Sequence, residues 1–381
     1  MSSFINSPHP PVTLSIPARI NILGNPTDAV EGDFATLSAA VEIRAGASIG
    51  PHEHIYLEHI GQTEAPPLTY LQSALPLPYD GQHDLLKGAI NRLYQFSPEL
   101  QEKIHQQGFA LKVWSDVPRQ SGLGGSSLFV LITLGALREF YELDRRVHND
   151  YILSELTQRV EEKELDITCG YADRYVPLFG GLGYLDYRGK LFHADIRTEP
   201  LTTFERLDDY ITYPPLVAAA TGVRHNSGDV HGRMRPVYLQ EYNTWRQNGG
   251  SMPPMIKFMS TAWETAWRGK IALLENDLDT FGQLMNQNHA LVNEMMLYCG
   301  FEDGAGWANN LFIQHALRHG ALGAKLTGAG GGGSVFALVR PGEEETLMRS
   351  WGELAETQGL KDALIYRLKI SRQGLTVHRR S

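Results

Sequence analysis

Apolar and polar residues alternate loosely through the first fifty positions and then switch to helical spacing, and these switches set out the elements. VTLSIPARINILG (12–24) reads as extended structure interrupted by Pro17, ending in the turn-rich GNPTDAVEGD (24–33). ATLSAAVEIRAGASIG (35–50) reads as strand. Prolines and polar residues crowd 61–82, which predicts a surface excursion. DLLKGAINRLYQF (84–96) has its apolar residues at helical spacing, whereas FALKVWSDVP (109–118) alternates as a half-buried strand does. The apolar run Leu128–Leu143 and YILSELTQRVEEKEL (151–165) predict two further helices. GGLGYLDYRGKLFHADI (180–196) predicts a hairpin turning at Arg188-Gly189.

The texture changes around 204–214, and PLVAAATG (215–222) begins a second set of elements. Helical patterns fill 235–247, 255–292 and 304–319. ALGAKLTGAGGGGSVFALV (321–339) gives turn, glycine loop and strand, followed by a helix at 343–357 and a last strand at 364–370. No internal repeat or low-complexity tract breaks the order. Mixed strands and helices, without strict alternation, predict an α+β fold. The change of texture divides it into two domains, 1–205 and 206–381.

Composition removes several classes of function. With 381 residues, 42% hydrophobic and 20% charged, the chain can bury a substantial core. A net charge of −9 leaves no basic excess to neutralise a nucleic-acid backbone. Two cysteines, Cys169 and Cys299, make neither a disulfide framework nor a zinc site, and read as small buried hydrophobes. MSSFINSPHPPV has neither a basic nor an apolar leader region, and Leu128–Leu137 is about half the ~20 residues needed to cross a bilayer. The expectation is a soluble cytoplasmic protein with no membrane or nucleic-acid partner, acting as a monomer or homodimer.

Two glycine clusters carry the candidate chemistry. GLGGSS (122–127) runs into an apolar helix, so its main-chain N–H groups and the positive end of the helix dipole can converge on an anion. The alternative is a glycine turn in which Ser126 or Ser127 caps the helix. TGAGGGGS (327–334) matches G-x-G-x-x-G, but it precedes a strand near the chain's end instead of opening a helix within an early βαβ unit. Neither cluster ends in Lys-Ser or Lys-Thr, so a P-loop is excluded too. Four consecutive glycines point to close approach by a ligand or by another stretch of backbone.

PARINILGNPTD (17–28), PRQSGLGGSSLF (118–129) and KLTGAGGGGSVFAL (325–338) stand in the order and spacing of the GHMP kinase superfamily, which this chain resembles over nearly its whole length. LGNPTD (23–28) and EKELDITCGYADRYVPLFGGLGYLDY (162–187) give it its strongest likeness to the glucuronokinase-type sugar kinases, with heptose-phosphate kinases as neighbours. The resemblance implies an N-terminal domain like the second domain of ribosomal protein S5 and a ferredoxin-like C-terminal domain, with ATP and acceptor between them. It implies an ATP- and Mg²⁺-dependent kinase acting on a sugar or uronic acid at the anomeric hydroxyl. Alternatives are another acceptor (a heptose phosphate, galactose, a mevalonate-type alcohol) or a non-catalytic ATP- and sugar-binding sensor.

Residue by residue, the resemblance implies that Pro118, Ser121, Gly122, Leu123, Gly124, Gly125, Ser126, Ser127, Gly328, Ala329, Gly330 and Gly331 hold the nucleotide. Ser126 and Glu162 would ligate magnesium, with Glu161 and Glu164 within a register slip; otherwise Glu162 is one solvated charge in EEKE. Asp173 takes the catalytic position, and Arg19 would lower its pKa or stabilise the transferring group. The bland alternatives are a helix-capping Asp and a strand-end ion pair. Asn25, Asp28 and Arg224 are the substrate candidates, a carboxylate suiting paired hydroxyls and an arginine suiting an acid. Arg224 lies in TGVRHNSGDVHGRMR (221–235) with His225, Arg233 and Arg235, residues that read equally as solvated charges at a helix entry. Two departures stand out: Asn25-Pro26 occupies the place of the Glu-His of galactokinases, and Gly125 replaces a usual Ser or Thr. His289, in LMNQNHALV (284–292), reads as structural.

Overall fold

In the computed structural model, described here for residues 10–379 apart from 31, 33, 62–65, 119–120, 191–197, 199 and 224–226, the alternating stretches at the start form the backbone of one large sheet. The chain runs β1 (Val12–Leu23), β2 (Ala35–His52), β3 (Ile55–His59), β4 (Leu68–Tyr70), α1 (Asp84–Phe96), α2 (Pro98–Gln106), β5 (Gly108–Ser115), α3 (Gly125–Phe140), α4 (Asp150–Arg159), α5 (Ala172–Phe179), β6 (Leu182–Asp186) and β7 (Thr203–Arg206). It continues with β8 (Leu216–Ala220), α6 (Ser227–Asn248), α7 (Pro254–Leu274), α8 (Leu278–Tyr298), α9 (Trp307–Arg318), β9 (Gly323–Thr327), β10 (Ser334–Leu338), α10 (Glu344–Thr357), β11 (Leu364–Leu368) and β12 (Thr376–Arg379).

The first sheet has the order β12-β1-β2-β5-β3-β4, with β6 also on β2 and β7 on β6. Pro17 does not interrupt β1. The strand runs through it, and the register with β2 shifts between Pro17 and Ala18. Beyond that shift every residue of β1 is buried, because α3, α5, α7 and α8 all pack on the strand. The second sheet, β11-β8-β10-β9, is wholly antiparallel and carries α8, α9 and α10. The sheets change between Arg206 and Leu216, yet β12 pairs with β1 and Ile370 bridges Val41, so the C-terminal end returns to the first sheet.

Three local features differ from the periodicity reading. The 255–292 pattern is two helices, broken where Asn276 takes φ 57° and Asp277 caps α8 by accepting the Thr280 N–H at 2.9 Å. In the expected 180–196 hairpin, β6 instead pairs with β2 and β7, while the predicted return strand lies outside the described residues. α4 does not end cleanly but widens into a π-helical turn at Val160–Glu164.

Candidate active site

Arg19, on the buried part of β1, organises the site. Its Nε and Nη2 donate to the two carboxylate oxygens of Asp173, each at 2.5 Å, and its Nη1 donates to the Gly122 carbonyl at 2.5 Å. The three residues stand 154 and 103 positions apart along the chain. Asp173 sits in the first turn of α5, 19% exposed, whereas Arg19 is 4% exposed. Burial pushes the Asp173 carboxyl up, but the facing guanidinium outweighs it and holds the pKa below the ordinary value. The acid is therefore ionised at neutral pH, with part of its surface open.

The two glycine loops meet backbone to backbone. A Cβ on Gly122 (φ 73°) would lie 2.7 Å from the Thr327 carbonyl oxygen, and one on Gly328 (φ 80°) would lie 2.8 Å from the Gly122 oxygen. No side chain fits between the loops. Gly124 is the N-cap of α3, in the left-handed region at φ 82°, and the first helical bond runs from Leu128 N–H to the Gly124 carbonyl. The N–H groups of the first turn thus have no carbonyl within the helix. Ser126 and Ser127 do not cap it, contrary to the alternative raised above. Both hydroxyls donate to Glu161, at 3.0 Å from Ser126 and 2.8 Å from Ser127.

That contact puts Glu161, rather than the expected Glu162, beside Ser126. Glu162 turns away and pairs with Arg235 at 2.9 Å. Glu161, 1% exposed, faces Ser126 and is held by Arg174 at 2.5 Å. Glu164 pairs with Arg92 instead. The π turn at Val160–Glu164 sets which of the neighbouring glutamates faces Ser126, a choice the resemblance alone does not make. Ser126 lines the cleft and Glu161 stands buried directly behind it, and hard oxygens of this kind suit Mg²⁺, which keeps several waters of its own. Among the described residues no group of three or more His, Cys, Asp or Glu could hold a metal.

A cleft of about 700 Å³ opens beside these groups, within the range of a small-ligand pocket. Arg19, Asn25, Asp28, Pro118, Ser121, Gly122, Gly124, Gly125, Ser126, Asp173, Gly328 and Ala329 line it. Asp28 accepts the Ala172 N–H at 3.1 Å; burial and then the charge of Asp173 raise its pKa to about 6. Asn25 Oδ1 accepts from the ammonium of Lys325 at 2.8 Å, and burial lowers Lys325 to about 7.

Several expected nucleotide residues do not line the cleft. Leu123 and Ser127 are buried, Leu123 beneath the loop and Ser127 against Glu161. Gly330 packs on Met296, and the Gly331 N–H donates to the Ala305 carbonyl at 2.9 Å. The glycine run thus makes room for neighbouring backbone, with only its first two residues at the cleft. Arg224 and His225 lie outside the described residues. Arg233 stacks on Phe301 and Arg235 holds Glu162, so this basic set contributes its neighbours Gly228 and His231 to the cleft. Burial lowers His231 to about 4, leaving it neutral at pH 7. His289 bonds Asn310 at 3.0 Å, consistent with the structural reading. Burial raises both thiols, Cys169 well above its usual value and Cys299 to about 11, which keeps them unreactive.

Sequence reasoning missed the apolar end of the cleft, formed by His59, Ile60, Leu85, Val117 and Phe129. The His59 and Phe129 rings meet at 4.6 Å. These residues come from four separate segments, and of them only Phe129 falls within a glycine-loop motif, PRQSGLGGSSLF. No helix among the described residues is long and apolar enough to cross a membrane.

The cleft brings together an ion-paired carboxylate and two abutting glycine loops, outside the P-loop and Rossmann frameworks. The GHMP kinases N terminal domain matches residues 84–181, and the GHMP kinases C terminal domain matches residues 311–356. The chain belongs to the GHMP kinase superfamily and is an ATP-dependent kinase with an alcohol group as acceptor. It is 28% identical over 338 residues to glucuronokinase 1 of Arabidopsis thaliana, covering 87% of this chain and 86% of that one. It is 28% identical over 351 residues to a galactokinase of Thermococcus kodakarensis, covering 89% and 92%. Its fold matches Lactococcus lactis galactokinase, solved with galactose, at a TM-score of 0.75 and 19% identity, covering 96% of this chain and 95% of that one.

Proposed function

We propose that this kinase transfers the γ-phosphate of ATP to a sugar, with a uronic acid as the preferred acceptor and the anomeric hydroxyl as the site of transfer. The single observation behind the reading is the Arg19 guanidinium, which ties the Gly122 loop to Asp173. It couples a backbone suited to phosphate with a carboxylate suited to an attacking hydroxyl. Support for a sugar comes from the relatives named glucuronokinase and galactokinase, and support for the anomeric position comes from the resemblance to the glucuronokinase group.

In this reading the N–H groups opening α3, with Gly122, Gly124, Gly328 and Ala329, receive the phosphates, and the apolar end around Phe129 receives the base. Ser126 and Glu161 would hold Mg²⁺, which neutralises phosphate charge when bound. Asp173, kept ionised by Arg19, accepts or orients the proton of the attacking hydroxyl. Asp28 accepts hydrogen bonds from paired sugar hydroxyls, and the Arg19 charge stabilises the transferring group.

The test is a coupled ADP-release assay over glucuronate, galacturonate, glucose, galactose, a heptose phosphate and mevalonate, with the product's phosphorylated position read by ³¹P NMR. Turnover of a uronate to its 1-phosphate supports the proposal. Nucleotide binding with turnover of no sugar rejects it.

A further inference from the structure

Lys325, in β9, is fully buried, and its ammonium has three oxygen partners. It donates to the main-chain carbonyls of Asn21 at 3.1 Å and Leu326 at 2.8 Å, and to Asn25 Oδ1 at 2.8 Å. An ammonium has three protons and no lone pair, so each partner must be an acceptor. Two of the three are backbone carbonyls that cannot be anything else. The third contact therefore forces Asn25 to present its oxygen to Lys325 and its NH₂ elsewhere. Asn288 restrains the same residue by donating to its main-chain carbonyl at 3.1 Å. Asn25 lines the cleft at 2% exposure, and its Nδ2 finds no acceptor among the described residues. A buried donor without a partner is disfavoured, so an acceptor from outside the protein has a place there.

We propose that Lys325 is a positioning residue that locks the Asn25 amide with its NH₂ toward the acceptor sugar, so that this wall of the cleft selects a carboxylate over a hydroxymethyl group. The inference rests on the sugar-kinase reading above. A carboxylate only accepts, and it strengthens a hydrogen bond by its charge. A hydroxymethyl group can accept from Asn25 but must then find an acceptor for its own proton. The Lys325 charge behind the amide favours an anion in front of it, and an anion there in turn favours the protonated lysine. Asp28 offers the opposite character, an acceptor for hydroxyls, so the two walls read the two kinds of group on one uronic acid.

The experiment compares kcat/KM for glucuronate and glucose at pH 6.5, where the ammonium form of Lys325 predominates. The wild-type protein is expected to prefer the uronate by at least about tenfold, the difference one charge-assisted bond makes. Asn25→Asp puts oxygen where the NH₂ stood and should invert the preference. Lys325→Met frees the amide to turn and should bring the ratio to within about threefold of unity, mainly through the KM of the uronate rather than through kcat. If Lys325→Met lowers both substrates alike and keeps their ratio, the lysine is merely structural and the proposal fails. Should that variant not fold, Asn25→Asp decides alone, and an unchanged ratio refutes the inference. Equal wild-type turnover of both sugars overturns this inference and leaves the kinase reading intact. Turnover of neither sugar overturns the proposed function itself.

Discussion

Replacing Asp173 by Asn is the sharpest perturbation of the site. The substitution preserves shape and one carbonyl oxygen facing Arg19, but it removes the charge and the ability to take a proton. A positioned general base contributes roughly 10²–10⁴ in rate, so kcat should fall by that factor, about 3–5 kcal/mol of barrier. Nucleotide affinity should stay within about threefold, because the loop carbonyl of Gly122 keeps its Arg19 contact and the α3 N–H groups are untouched. Leaving a buried arginine without its counter-charge costs up to about 3–5 kcal/mol of stability, and the 19% exposure of Asp173 favours the lower end. The assay is therefore threefold: initial rates at saturating ATP and sugar, ATP affinity by calorimetry, and Tm by scanning calorimetry. A folded Asp173→Asn protein retaining more than about a tenth of wild-type kcat would refute the assignment. It would move the proton-handling role elsewhere in the cleft, or remove the need for one.

Glu161→Gln should raise the Mg²⁺ concentration needed for half-maximal rate by about tenfold, whereas Glu162→Gln should shift it by less than about threefold; the reverse ranking would reinstate Glu162. The pKa of Asp28, about 6 and raised from 3.8, sets a direction for pH: the carboxylate accepts from sugar hydroxyls above 6 and is protonated below it. Sugar KM should therefore rise as pH falls through 6, and Asp28→Asn should erase that limb even though it weakens binding. Since the folded pKa is the higher one, the same group costs stability above pH 6, a cost relieved as pH falls toward 4, so acid loss of activity should precede acid unfolding measured by circular dichroism. Arg19→Lys keeps the charge but loses the fork that reaches Asp173 and Gly122 together. A loss of kcat of about tenfold or more would show that geometry matters beyond charge, and near wild-type kinetics would contradict it.

What was legible in the sequence was what glycine and short motifs make local. GLGGSS before an apolar run and PARINILG leading to Arg19 could be read because the chemistry and the conformation lie within a few residues. The choice between Glu161 and Glu162 could not, because a π turn changes which face each side chain takes without changing the composition. The four-glycine run left two occupants open. Glycine was needed there for close approach to the backbone around Ala305 and Gly306, and composition does not say whether a ligand or another backbone approaches. Lys325 and Asn25 meet across 300 positions of chain, and the apolar end of the cleft gathers single residues from several elements. Such pairings exist only once tertiary packing has formed. β12 was missed for the same reason, since a four-residue strand becomes one by pairing with β1.

The seam between the two sheets carries a further consequence for how the site works. β9 belongs to the second sheet, yet Lys325 donates to Asn21 and Asn25, Thr327 Oγ1 accepts the Asn21 N–H at 3.1 Å, and Gly328 packs directly on Gly122. Arg19 then carries the chain of contacts from Gly122 to Asp173. The phosphate-facing backbone, the acidic residue and the Asn25 wall are therefore parts of one continuous, buried polar network, although they come from both halves of the chain. Arg19 and Lys325 are each held by several partners in this network while the Asn25 Nδ2 keeps an open donor, and electrostatic groups that need not reorganise during reaction are those that lower a barrier most. The groups that would be lost by hinging the sheets apart are the same ones the transfer needs. The chemistry is therefore best served by a fixed seam, with the acceptor admitted beside it rather than by opening it.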